Sequence, residues 1–148
     1  MNDNNRDEHY MRQALDEAMD AFDADEVPVG AVVVLDDRII ARGHNLTETL
    51  KDVTAHAEML SITAGANYLG AKYLKNCTLY VTLEPCLMCA GAIIHSQISR
   101  LVYGANDPKK GYTLLKKDLM PRTISVTCGI LETECAQLLK NFFASKRK

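Results

Sequence analysis

Four residues in this 148-residue chain have the types and spacing to do chemistry together: His56, Glu58, Cys86 and Cys89. They fall in two short segments, Thr54-Ala55-His56-Ala57-Glu58 and Glu84-Pro85-Cys86-Leu87-Met88-Cys89. A Cys-x-x-Cys turn at a helix start lets two thiolates converge on one ion, with Zn–S distances of about 2.3 Å. The partial positive charge of a helix N-terminus favours thiolate over thiol. His56 supplies a neutral third ligand. Three protein ligands leave the fourth tetrahedral position to water, which separates a catalytic zinc site from a closed structural one. Zinc lowers the pKa of such a water to about 7. Glu58, two residues beyond His56, need not reach the metal and is free to carry protons between water and a substrate.

Each of these residues also has a plainer reading. The cysteine pair could be half of a closed structural zinc site, with Cys77, Cys128, His44 or His95 as the fourth ligand, or it could be a redox pair. A structural site usually brings a second cysteine knuckle, and none is present. A redox pair would leave His56 and Glu58 without a part. Taken singly, His56 reads as a core histidine and Glu58 as a solvated helix glutamate; the cysteine pair overturns both. His9, His44 and His95 keep the bland reading. Cys77, Cys128 and Cys135 lie in apolar stretches and read as small core residues.

The elements that must position these groups follow from hydrophobic periodicity. Met11, Leu15, Ala18 and Phe22 give one apolar face to a helix over Arg6 to Phe22. Val29 to Leu35 is a continuous apolar run, a buried strand, turning at Asp36-Asp37 into a hairpin partner over Arg38 to Gly43. A polar loop is expected from Asn45 to Val53, then a helix capped by Thr54 that continues through Met59, Leu60 and Ile62. Cys77 to Leu83 is rich in strand formers. Pro85 closes it, and a helix follows through Ala90, Ala92, Ile93 and Ile94. The remaining expectations are a strand from Ser99 to Tyr103 ending at Gly104, a short helix from Thr113 to Leu119, and a strand from Thr123 to Thr127 ending at Gly129. A last helix is striped by Leu131, Cys135, Leu138, Leu139 and Phe142.

Strands alternating with helices after an initial hairpin imply an α/β fold, a three-layer α/β/α sandwich around a five-stranded mixed sheet. Both chemistry-bearing segments open helices, and 26 residues between Glu58 and Pro85 fit one helix and one strand. In such sheets helix starts gather at one edge, where ligands bind.

The totals fit one domain over residues 1–148. The polar opening lacks the apolar stretch of a secretion signal and no run is long enough to span a membrane, so the expected location is the cytosol. Charge is unevenly spread: Met1 to Asp37 holds 11 acidic and 2 basic residues, Lys109 to Lys148 holds 9 basic and 3 acidic. The basic third is either a solvated helix and tail or a surface for phosphates.

With His-x-Glu and Pro-Cys-x-x-Cys together, the chain resembles the cytidine deaminase superfamily, a known class of zinc-dependent base deaminases. Glu26-Val27-Pro28-Val29-Gly30-Ala31-Val32-Val33, Thr54 to Glu58 and Leu79 to Ala92 make it more closely similar to bacterial tRNA-specific adenosine deaminases, nearly end to end. The resemblance implies a cytidine deaminase-like fold, one Zn2+ per chain, a homodimer, and a tRNA anticodon stem-loop as substrate. It implies hydrolysis of the wobble adenosine to inosine, with water attacking C6 and Glu58 protonating N1 and then the departing ammonia. The backbone around Ala57 and the Glu84-Pro85 turn would hold the base edge, Val27 and Leu83 would line the pocket, Asn45 would read the base, and Asp107 would contact the flanking RNA. One stretch departs from the family: Asn106 stands where an arginine is common, and Tyr112-Thr113-Leu114-Leu115 replaces small residues. A deaminase of free nucleobases or nucleosides, and a zinc-stabilised RNA-binding module without turnover, are the competing readings.

Overall fold

Residues Ala31 to Val34 are apolar without interruption, so the strand that holds them must bury both of its faces. It does. Residues 2–147 are described by the computed structural model. In chain order the elements are α1 (Asp3–Asp23), β1 (Gly30–Leu35), β2 (Arg38–His44), α2 (Thr47–Leu50), α3 (Ala57–Leu69), β3 (Thr78–Leu83) and α4 (Leu87–Ser96). They continue with β4 (Arg100–Ala105), a 3₁₀ turn (Tyr112–Leu114), β5 (Ser125–Cys128) and α5 (Glu132–Lys146). The sheet order is β2-β1-β3-β4-β5. β1 runs antiparallel to β2 and β3, whereas β3, β4 and β5 are parallel.

Side chains alternate between two apolar layers, as the strand period requires. Val32, Val34, Tyr80 and Val102 pack with Tyr10, Met11 and Ala14 of α1 and Cys135 of α5. Ala31, Val33, Leu79, Val81, Leu101 and Tyr103 pack with Ala57 of α3 and with Ala90 and Ile93 of α4. The three-layer α/β/α sandwich with a five-stranded mixed sheet is therefore the observed architecture. Because β2 and β3 are each antiparallel to β1, their C-terminal ends share one edge. α3 follows β2 and α4 follows β3, so both helices begin at that edge.

A buried ion pair pins α1 across the sheet. Asp7 accepts two hydrogen bonds from the Arg100 guanidinium, at 2.7 and 2.6 Å, and a third from the Tyr80 hydroxyl at 2.8 Å. The bidentate geometry offsets the cost of removing both charges from water. At the other end of α1, Phe22 meets Phe142 edge-to-face at 5.7 Å and draws α5 toward the functional edge.

Several expected boundaries shift, each for a visible reason. α1 begins at Asp3 because the Asn2 side chain accepts the Asn5 N–H at 2.8 Å and caps it. Thr54 does not cap α3: its hydroxyl is held by Asp52 at 2.7 Å, and His56 takes the N-cap position. Gly104 lies inside β4 instead of ending it. A Cβ there would sit 2.4 Å from Cys135 Sγ, so the glycine lets α5 press against the strand. The helix expected from Thr113 to Leu119 is a single 3₁₀ turn. Cys77 and Cys135 are buried as expected, but Cys128 is exposed, because β5 is an edge strand whose side chains mostly face solvent. Among the described residues, no helix is long and apolar enough to cross a membrane.

The polar loop from Asn45 to Val53 contains the short helix α2, and a buried carboxylate explains it. Glu26 is 1% exposed. It accepts the Glu48 N–H at 3.1 Å, the Thr49 N–H at 2.6 Å and the Thr49 hydroxyl at 2.7 Å. Burial pushes its carboxyl up, but the Thr49 hydroxyl, the two N–H groups and nearby His44 outweigh that and hold it below its ordinary value of 4.5. A depressed carboxyl contributes stability above its unfolded pKa and loses it as pH falls through the folded one. Glu26→Gln should therefore lower the unfolding free energy from urea titration above about pH 5, by about 1–3 kcal/mol, with the gap to wild type closing in more acidic buffer. A gap that widened toward acid would contradict the assignment.

Candidate active site

His56 and Cys86 are the N-cap residues of α3 and α4, both in extended backbone conformation. Cys89 lies in the first turn of α4 and Glu58 in the first turn of α3. Two helix N-termini, with their unpaired N–H groups, thus converge where the ligands stand. His56 Nδ1 is 3.7 Å from Cys86 Sγ and 3.4 Å from Cys89 Sγ.

Those separations are a test of whether a metal fits. A tetrahedral zinc with Zn–N of about 2.05 Å and Zn–S of about 2.3 Å sets nitrogen and sulfur about 3.6 Å apart. The observed pair of distances brackets that value. Electrostatics agrees. Hydrogen bonds from Cys89 and His56 bring the Cys86 thiol down to about 4, whereas the Cys86 sulfur beside it, followed by burial, pushes Cys89 far upward. Two thiols this close give up a second proton readily only to a cation. The donor set, one imidazole and two sulfurs, suits zinc. The ligand atoms of His56, Cys86 and Cys89 all lie within 4.8 Å of one another. His44 is not among them; it pairs with Glu17 at 3.0 Å.

Glu58 is buried beside this cluster, and desolvation pushes its carboxyl up to about 7. Such a group holds and releases a proton near neutral pH.

Above these residues opens a cavity of about 910 Å³. Val27, Asn45, Ala57, Leu83, Glu84 and Asp107 all line it, together with His56, Glu58 and Cys86. Cys89 lies behind this surface, fully buried. The Asn45 side chain is oriented by its own loop: Oδ1 accepts the Thr47 N–H at 3.2 Å. Val27 and Leu83 supply apolar wall. The rim is cationic, with Lys109 and Lys110 from the segment after β4, Lys140 and Lys146 from α5, and Arg147 just beyond it. Lys146 also contacts Asp25.

The departing stretch leaves the cavity unobstructed. Tyr112 turns inward and meets Tyr103 edge-to-face at 6.5 Å, Thr113 bonds Glu84, and Leu114 and Leu115 face solvent. Sequence reasoning did not find Thr47, Phe143 or the part played by α5 in the wall. The basic C-terminal third and the Phe142-Phe143 pair were the available signals. Nothing in the sequence marks Thr47.

Fold and site together define a deaminase, and the MafB19-like deaminase family matches residues 5–147. The chain is 47% identical to the tRNA-specific adenosine deaminase of Bacillus subtilis, over 97% of this chain and 92% of that one. A solved structure from work on A-to-I editing by tRNA:A34 deaminases at the wobble position superposes with a TM-score of 0.82 at 47% identity, covering 88% of this chain and 98% of that one. The guanine deaminase of Nitrosomonas europaea superposes with a TM-score of 0.83 at 28% identity, covering 93% and 84%. This chain belongs to the family of tRNA-specific adenosine deaminases.

The ligand geometry predicts one tightly held zinc per chain in the purified protein. Cys86→Ala, which leaves two ligands, should lose stoichiometric zinc in metal analysis, whereas Cys128→Ala should retain it.

Proposed function

We infer that this protein hydrolyses adenosine to inosine at the wobble position of a tRNA anticodon, releasing ammonia. The observation that carries this is the His56, Cys86 and Cys89 cluster with Glu58 beside it, set in a cavity with a cationic rim. The 47% identity to tRNA-specific adenosine deaminases supports the same substrate. The chain acts as one deaminase unit with one zinc, in the cytosol where tRNA is found.

His56, Cys86 and Cys89 would hold the zinc. Bound there, zinc supplies a hydrolytic nucleophile by lowering the pKa of water. The chain's own groups do the rest. Glu58 takes the proton released as water adds to C6 of the base and passes it to N1. Glu58 then takes the proton of the new C6 hydroxyl and delivers it to the exocyclic amine, so that C6=O forms as the C6–N bond breaks and ammonia leaves. The unpaired N–H groups that open α3, with Ala57 first, face the base edge, and Asn45 offers its amide to the ring. Val27 and Leu83 close on the base from the sides and exclude water. A base this deep in a cavity must leave its stack, which costs less in an anticodon loop than in a duplex.

The rim argues against a free nucleobase as the main substrate. A lone purine carries no phosphates, whereas RNA would engage Lys109, Lys110, Lys140 and Arg147 beyond the pocket. The protein is proposed to act as a homodimer. Leu87 and Met88, exposed at the start of α4 beside the site, supply apolar surface that a second copy would cover.

Glu58→Ala should fold, retain zinc and lose inosine formation in an anticodon stem-loop by about 10³-fold. Full activity in that variant, or turnover of free guanine without any of the RNA, would reject the proposal. Lys109→Ala combined with Lys140→Ala should raise KM for the stem-loop and flatten its dependence on log salt by about 0.7 per lost phosphate contact, leaving kcat nearly unchanged. A salt slope equal to that of wild type would remove these lysines from the RNA interface.

A further inference from the structure

Glu84 lies two residues before Cys86, is 3% exposed and has no basic side chain among its hydrogen-bond partners. Its Oε1 accepts the Asp107 N–H at 3.0 Å. Its Oε2 accepts the Thr113 N–H at 3.0 Å and the Thr113 hydroxyl at 2.6 Å. Burying a carboxylate without a counter-charge is costly unless strong donors surround it. Here every one of those donors comes from residues 107–113, the stretch that runs from the end of β4 into the 3₁₀ turn.

The same segment is stitched to the ligand turn by its backbone. The Glu84 N–H reaches Ala105 O at 2.8 Å, the Tyr112 N–H reaches Pro85 O at 3.0 Å, and Cys86 forms an antiparallel bridge with Gly111. Gly111 crosses directly over the carboxylate: a Cβ there would lie 2.3 Å from Glu84 Oε2. Only a glycine permits that approach. Beyond Asp107 the chain of bonds continues, because Asp107 Oδ1 accepts the N–H groups of Lys109 at 3.0 Å and Lys110 at 3.1 Å. An unbroken path therefore links the Pro85-Cys86 turn to the lysines at the rim.

We propose that Glu84 is a positioning residue: through Thr113 and Asp107 it fixes residues 106–113 against the Pro85-Cys86 turn, and so sets where RNA beside the reacting base is held. This rests on reading the cavity as an RNA site. Both carboxylate oxygens are engaged by the loop, so the Glu84 side chain acts on RNA beside the base through Asp107 and the lysines, while the turn that carries it lines the cavity. Thr113, in the stretch that departs from the family, is the partner whose hydroxyl completes the arrangement.

The test uses the zinc-loaded full chain and three variants, Thr113→Val, Thr113→Ser and Glu84→Gln. Amide hydrogen exchange over Asp107 to Thr113 and steady-state kinetics on an anticodon stem-loop are measured for each. Thr113→Val keeps one zinc per chain, speeds exchange in that segment by about 10-fold and raises KM by a similar factor, with kcat within about twofold of wild type. Thr113→Ser, which restores the hydroxyl, returns both readouts to wild type, and Glu84→Gln speeds exchange over the same segment. The proposal is overturned if Thr113→Val exchanges and binds like wild type, if exchange quickens without any change in KM, or if serine is as damaging as valine. Failure of the wild-type protein to deaminate the stem-loop would instead remove the RNA reading, and the exchange data alone would then decide whether the loop is fixed by this carboxylate.

Discussion

Two cysteine sulfurs lie 3.4 and 3.7 Å from one imidazole nitrogen, and much of the fold exists to keep them there. Left to themselves they repel further ionisation: Cys86 is readily a thiolate, and its charge then keeps the proton on Cys89. A divalent cation resolves the conflict. The sheet topology supplies the geometry, because β2 and β3 end at one edge and α3 and α4 both begin there. Each helix start contributes partial positive charge and unpaired N–H groups, useful to thiolates and to a base edge alike.

Three buried glutamates ring this centre, and their surroundings divide their labour. Glu26 and Glu84 each accept two backbone N–H groups and one threonine hydroxyl. One fastens the α2 side of the cavity, which carries Asn45 and Thr47, and the other fastens the segment carrying Asp107. Glu58 has no such cradle from a neighbouring loop. It sits among the ligands, and desolvation raises its carboxyl to about 7. The same side chain thus serves as a fastener where donors saturate it and, in the proposed reaction, as a proton carrier where they do not.

α5 completes the arrangement from the far end of the sequence. Its Cys135 packs over Gly104, its Phe142 meets Phe22 of α1, and its last turns bring Lys140 and Phe143 to the cavity. The end of the acidic N-terminal helix and the last turns of α5, with Lys140 and Lys146, therefore meet beside the site, with Lys146 touching Asp25. The cationic rim is built by folding, from two groups of residues thirty or more positions apart along the chain.

What the sequence determined on its own was the chemistry and the layering. His-x-Glu and Pro-Cys-x-x-Cys together make most sense around a metal, and short apolar strands between period-3.6 helices admit few architectures. The tertiary structure decided which polar residues are withdrawn from water. Glu26 looks like one more acid in an acidic stretch, and Glu84 like a neighbour of the ligand turn; their donors lie 22 to 29 residues away and are found only by folding. Cys128 reads as core because β5 is apolar in places, yet an edge strand leaves it exposed. Local pattern encodes which face is apolar, whereas satisfaction of a buried charge depends on partners that pattern does not see.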